Sequence, residues 1–203
     1  MSSVALASLA GCLEPVSAAL PAGVDARLEP EHELLRREIA KLSAVESAAP
    51  DWPLVSSVGR ELLTAKSKDL LVAVYVACSL AAQQPVLGAA HGTALLASLI
   101  SRFGALLFPV RSRARVGALA WYLEWLSAEL DLHHPSSQPE VASLREQLHQ
   151  LREAATVLLG DAAPSFSAVL RSCERLERRR AVSDTADGRA RLASQTPRLR
   201  ATE

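Results

Sequence analysis

The sequence predicts an all-α fold: a compact bundle of about five helices, followed by a helical hairpin and a flexible C-terminal tail. Two observations indicate this class. Apolar residues make up 49% of the chain but aromatic residues only 4%, so the core must be built from Leu, Ala and Val, and Leu and Ala are strong helix formers. Apolar residues also recur three and four positions apart along most of the chain, which is the period of an amphipathic helix.

The chain divides into four predicted regions. Residues 1–29 read as a leader, because prolines and a glycine interrupt regular structure there. Residues 30–131 form the helical domain and residues 138–180 form the hairpin. Apolar periodicity then ends, so residues 181–203 are expected to be a disordered tail or linker.

Start signals divide the helical domain into five helices. Pro30 suits the first turn of the first helix, and Asp51 is the predicted N-cap of the second. Ser67, in the break that follows, is the predicted cap of the third helix. The third, fourth and fifth helices are expected over about 70–82, 86–107 and 116–126.

The most apolar run is that of the third helix. It spans 13 residues, Leu70 to Ala82, whereas a membrane helix needs about 20. We therefore expect a buried core helix and no transmembrane segment.

The hairpin consists of two arms joined by a turn at 160–164. Apolar residues in its first arm alternate three and four positions apart, which is a heptad-like seam. They are Val141, Leu144, Leu148, Leu151, Ala155 and Leu158. This seam predicts self-association, and hence a possible homo-oligomer.

Composition argues against several functional classes. The chain has 22 basic and 22 acidic residues, which does not favour a dedicated nucleic-acid protein. Cys12, Cys78 and Cys173 are far apart in sequence, and the pair His133–His134 has no further ligand at metal spacing. We expect no catalytic residues, no cofactor and no metal.

A series of short motifs extends from Leu13 to Leu126. It comprises a Pro-x-Gly-x-Asp segment, an Asp-Trp pair, a Leu-Leu-x-x-x-Ser-Lys-Asp-Leu segment and a Phe-Pro stop before an arginine-rich connection. The residues that carry it are Gly23, Asp25, Asp51, Trp52, Ser67, Lys68, Asp69, Leu70, Phe108 and Pro109. In order and spacing these motifs resemble the ImpA-type N-terminal domain of TssA-like proteins of the bacterial type VI secretion system.

The resemblance implies a non-enzymatic, cytoplasmic assembly component. Such a protein docks to baseplate, sheath or membrane-complex proteins while the secretion tail is assembled. The motif residues are expected to be structural. For Lys68 and Asp69 the expected roles are a local ion pair and a helix cap.

Five side chains are candidates for partner binding, because Arg and Trp are enriched in interface hot spots. They are Arg111, Arg113, Arg115, Trp121 and Trp125. The two tryptophans are four residues apart on one helix, and packing partly into the core is the alternative role for them.

The alternative function is that of a basic-tailed adaptor that binds nucleic acid or an anionic membrane surface. Between Arg171 and Arg200 there are nine arginines and four acidic residues. No aromatic residues alternate with these arginines as a stacking platform would require. A solvated linker is therefore the favoured interpretation of this segment.

Overall fold

In the computed structural model of the protein, residues 9–43, 48–133 and 138–195 are described, with side chains described for 9–43, 48–133 and 139–181. Seven long helices account for most of these ranges, and the predicted all-α class is confirmed. They are α1 (Pro30–Ala40), α2 (Trp52–Ala65), α3 (Leu70–Gln83), α4 (Pro85–Phe103), α5 (Ser112–Leu132), α6 (Gln138–Leu159) and α7 (Ser167–Gln195). Short 3₁₀ turns follow α1, α4 and α6.

Helix starts follow the predicted cap chemistry in two cases and depart from it in one. Pro30 is the first residue of α1, and the Asp51 carboxylate accepts the Leu54 N–H at 3.0 Å. The cap of α3 is Asp69, whose carboxylate accepts two backbone N–H groups. The predicted cap, Ser67, was wrong, because the N-cap directly precedes the helix and Ser67 lies two residues before that position.

The core is centred on α3, which is apolar on every side. It packs against α2, α4 and α5. Contact with α4 is close, since a Cβ atom on Gly92 would lie 2.7 Å from the Ala77 Cα atom. A buried hydrogen bond of 2.8 Å between Thr93 Oγ1 and Tyr122 OH joins α4 to α5.

The helix α4 is longer than α3 and also strongly apolar. With the turn that follows it, over Pro85–Leu106, it is long and apolar enough to cross a membrane, with a mean hydropathy of 1.3. In this structure 72% of the most apolar 18-residue window of that stretch is buried inside the protein. Its packing between α3 and α6 is that of a core helix.

The two arms of the predicted hairpin pack mainly on the bundle rather than on each other. The α6 helix lies along α4, and α7 lies along α5. The predicted seam of α6 is buried in these contacts: from Val141 to Ala155 its apolar residues are at most 1% exposed. The apolar seam of α6 packs against an apolar face of α4 in the same chain. The seam is therefore unavailable for self-association.

Within the described ranges, helix is present in both the predicted leader and the predicted tail. In the predicted leader, residues 9–13 are helical, and Leu9, Cys12 and Ala26 are buried. At the other end, α7 continues to Gln195, although residues 181–203 were expected to be disordered. Arg and Ala are strong helix formers even without an apolar stripe. Residues 1–8, 44–47, 134–137 and 196–203 lie outside the described residues.

Candidate functional site

The motif residues of three distant segments meet through backbone hydrogen bonds. Lys68 N–H donates to the Ala22 carbonyl at 2.8 Å, and Phe108 N–H donates to the Lys68 carbonyl at 3.0 Å. Leu70 N–H donates in turn to the Phe108 carbonyl at 2.7 Å. The break between α2 and α3 thus lies between the leader segment and the loop after α4, and we call this arrangement the motif hub.

Gly23 is required by the geometry of the motif hub. Its φ is +71°, and a Cβ atom there would lie 2.0 Å from the Lys66 carbonyl oxygen. Two residues on, Asp25 caps the 3₁₀ turn at Ala26–Leu28 by accepting the Arg27 N–H. The Arg27 guanidinium beside this carboxylate lowers the pKa of Asp25.

Lys68 is fully buried at the centre of the hub. Its ammonium donates to the carbonyls of Cys12, at 2.9 Å, and Leu63, and it lies 5.5 Å from the centre of the Phe103 ring. Both carbonyls lie at the C-terminal ends of helical segments, where partial negative charge accumulates. Among the described residues Lys68 forms no ion pair, so the predicted local ion pair was wrong. Burial lowers the pKa of Lys68.

Four other motif residues also lie at structurally defined positions. Asp69 is 1% exposed, and burial raises the pKa of its carboxyl group despite the two backbone N–H groups that it accepts. Trp52, at the start of α2, packs against Trp125 with ring centroids 5.9 Å apart. Phe108 and Pro109 are joined by a cis peptide bond.

Of the three arginines expected to bind a partner, the structure places one in the interior. Arg115 is 6% exposed and donates to the carbonyls of Ala105, Leu107 and Pro109. It holds the loop after α4 in place, and this buried position does not favour the partner-binding role predicted for it. Arg111 and Arg113 are exposed, and in the described part of the chain neither side chain has a hydrogen-bond or ion-pair partner.

The two tryptophans of α5 are half-buried. Trp121 packs edge-on against Tyr75, with ring centroids 6.0 Å apart, and Trp125 packs on Trp52. Both therefore contribute to the core while keeping part of their surface open to solvent.

Trp121 borders an apolar groove of about 380 Å³ between α1 and α5. We call it the α1–α5 groove. Leu71 and Tyr75 of α3 form its floor, Arg36 and Ile39 line the α1 side, and Gly117 and Trp121 line the α5 side. Among these residues only Trp121 was predicted from the sequence as a site residue, because the groove is assembled from three helices that are distant in sequence.

The described residues contain no cluster of three or more His, Cys, Asp and Glu side chains that could hold a metal ion. The cysteines at 12, 78 and 173 are all buried. Burial raises the pKa of each thiol, to about 12 for Cys173, and a thiol so protonated is a poor nucleophile and ligand.

These features define an all-α domain whose sequence motifs hold its own segments together. Residues 13–124 match the family described as ImpA, N-terminal, type VI secretion system. Since this match covers more than half of the chain, the protein belongs to that family and is a type VI secretion system component. The resemblance seen in the sequence is thereby confirmed.

One solved structure has a similar fold. It is the N-terminal domain, including the conserved ImpA_N region, of the TssA component of the type VI secretion system from Burkholderia cenocepacia. The TM-score is 0.74 at 21% sequence identity, over 84% of this chain and 90% of that one. At this identity the likeness concerns the fold alone. No curated protein matches the chain.

Proposed function

We propose that the protein is a non-enzymatic assembly component that acts in the cytoplasm by docking to baseplate, sheath or membrane-complex proteins of its secretion system. The family match over residues 13–124 carries this proposal. The roles of the motif residues support it, because Gly23, Lys68 and Asp69 are engaged in internal packing rather than in a reactive site.

The surface of α5 supports docking as the mode of action. Arg111 and Arg113 are exposed at its start, and Trp121 and Trp125 keep part of their surface open to solvent along it. Arginine and tryptophan are enriched among the residues that dominate binding energy at interfaces. A homo-oligomer would have to form through a surface other than the buried seam of α6.

A binding assay with the full chain tests this function. The immobilised chain is presented with separately purified baseplate, sheath and membrane-complex proteins of the same system, at about 50 and about 300 mM salt. Duplex DNA and anionic vesicles are presented in parallel. We expect at least one tail protein to bind at both salt concentrations. Binding of DNA or vesicles alone, lost at high salt, supports the basic-tailed adaptor instead, and binding of nothing contradicts both.

A pair of variants localises the contact. Arg111→Glu with Arg113→Glu reverses the two exposed charges at the start of α5, and binding is expected to fall at least tenfold. Arg152→Glu with Arg171→Glu makes the same change at exposed arginines of α6 and α7 and is expected to leave binding unchanged. Equal effects of the two pairs would contradict docking through α5.

A further inference from the structure

We propose that the α1–α5 groove holds an acidic amphipathic helix of a partner secretion protein. This inference rests on the proposed docking function and adds to it the surface used and the chemistry of the segment that is bound.

The groove is an open apolar site at the surface. Its floor consists of Leu71 and Tyr75, and the Trp121 ring stands beside it. Leu42, in the turn after α1, also lines the groove and is 42% exposed. Burial of such side chains by a partner is favourable, and a pocket that contains an aromatic anchor is a common centre of binding energy.

Gly117, on the α5 side of the groove, has no packing role among the described residues. A Cβ atom there would meet no atom within 4 Å, whereas a Cβ atom on Gly59 or Gly88 would meet its own chain at 2.5 or 1.9 Å. A glycine destabilises a helix interior relative to alanine. Its advantage here is that another backbone can approach α5 closely, which is what a docked helix needs.

The walls of the groove favour a helical occupant over an extended one. Both walls are helices, α1 and α5, whose interior backbone groups are already hydrogen-bonded within each helix. An extended peptide would find no strand edge there, whereas a helix satisfies its own backbone. From Ala114 to Trp121 the wall extends about 10 Å, which matches two turns of a helix laid alongside.

Charge at the groove selects an acidic partner. Arg36 lines the groove with its side chain 62% exposed, and among the described residues it has one weak ion pair, at 3.6 Å to Glu33. Arg111 and Arg113 flank the start of α5, and the first turn of this helix contains no acidic residue. The N-terminus of α5 adds partial positive charge. A carboxylate on the flank of a docked helix would pair with Arg36, and Arg111 and Arg113 lie in the chain between the lining residues Pro109 and Ala114.

Selection of peptides tests the inference without knowledge of the natural partner. A library of helix-constrained peptides, displayed on phage, is selected on the full chain and counter-selected on Gly117→Trp, which fills the groove. Enriched peptides are expected to carry apolar residues at i, i+3 or i+4 and i+7, with Asp or Glu beside them. They should bind Gly117→Trp at least tenfold more weakly than the unmodified chain. Enrichment of basic or non-helical peptides would overturn the inference. So would a selection in which no peptide binds the unmodified chain more tightly than Gly117→Trp.

Two further variants control for general effects of substitution. Ala120→Trp places the same ring on an exposed position of α5 outside the groove, and it should leave peptide binding unchanged. Gly117→Leu is a smaller block at the same position and should also weaken binding. Because the space around Gly117 is open, Gly117→Trp and Gly117→Leu should leave the midpoint temperature of thermal unfolding unchanged.

The inference and the proposed function fail in distinguishable ways. If a tail protein binds the full chain and Gly117→Trp equally, docking stands and the groove proposal is wrong. If acidic helical peptides bind the groove but no tail protein binds the chain, the groove stands and the function is wrong. If Gly117→Trp converts a dimer into a monomer in light scattering, the occupant is a second copy of this chain, which also overturns the inference.

Discussion

Replacement of Lys68 by methionine tests the motif hub at its centre. The substitution keeps a side chain of similar length and removes the ammonium that donates to Cys12 and Leu63. Two buried carbonyls then lose their hydrogen-bond donor, which destabilises the fold by about 1–3 kcal/mol each. Loss of the cation–π contact with the Phe103 ring destabilises it by about 1 kcal/mol more. Relief from burying a charge offsets part of this loss.

The net loss of stability for Lys68→Met is expected to be about 3 kcal/mol, because the two orphaned carbonyls outweigh the relief from burial. For a chain of this size that corresponds to a fall in Tm of about 6–12 °C. Urea unfolding of the full chain at neutral pH, followed by circular dichroism, measures the change.

The neighbouring lysine provides a matched control. Lys66 pairs with Glu29 at 2.7 Å and Glu31 at 2.9 Å, yet its side chain is 37% exposed. Exposed ion pairs contribute little because water competes for both partners, so Lys66→Met should cost clearly less than Lys68→Met. An equal or greater cost for Lys66→Met would refute the reasoning.

Three further predictions concern the same hub. Asp69→Ala should lose about 1–2 kcal/mol in urea unfolding, because it removes the cap of α3. Ser67→Ala should change stability by about 0.5 kcal/mol or less, because the buried Ser67 hydroxyl has no hydrogen-bond partner among the described residues; the reverse order would restore Ser67 as the cap. Gly23→Ala should lose about 3 kcal/mol or more, since strain at positive φ adds to a contact of 2.0 Å with a carbonyl oxygen. Gly160→Ala is also at positive φ but in open space, so it should cost only about 1–2 kcal/mol. Equal losses for Gly23→Ala and Gly160→Ala would contradict the close contact at Gly23. Burial lowers the pKa of Lys68 below its unfolded value of 10.5, so between these two pKa values the unfolded chain binds more protons. The unfolding free energy of the unmodified protein should therefore rise relative to Lys68→Met as pH increases through that window, and a fall over the same window would contradict the burial of this lysine.

Local sequence signals predicted where helices begin, but they did not predict which helix packs against which. Pro30 and Asp51 fix the starts of α1 and α2 through contacts within one turn, so sequence alone identifies them. The apolar period of α6 was also visible in the sequence, but a period shows only which face is buried. It does not show that α4, rather than a second copy or α7, covers that face.

Long-range contacts account for what the sequence left unpredicted. A lysine is ordinarily at the surface, and Lys68 is buried because two helix ends, distant in sequence, supply its acceptors. Arg115 is buried for a similar reason, since it binds three carbonyls of the preceding loop. One feature of the sequence, the helical glycine at 117, points to the α1–α5 groove. Its meaning depends on the neighbours of that position in the structure, because among the described residues none would contact a Cβ atom there.

The most direct test of docking through α5 is hydrogen exchange of the full chain, alone and in complex with the tail protein that it binds. Exchange reports local opening, so a docked partner slows it where contact is made. We predict slowed exchange in the second half of α1 and the first half of α5, with little change in α6 and α7. Slowed exchange confined to α6 and α7 would contradict docking through the α1–α5 groove.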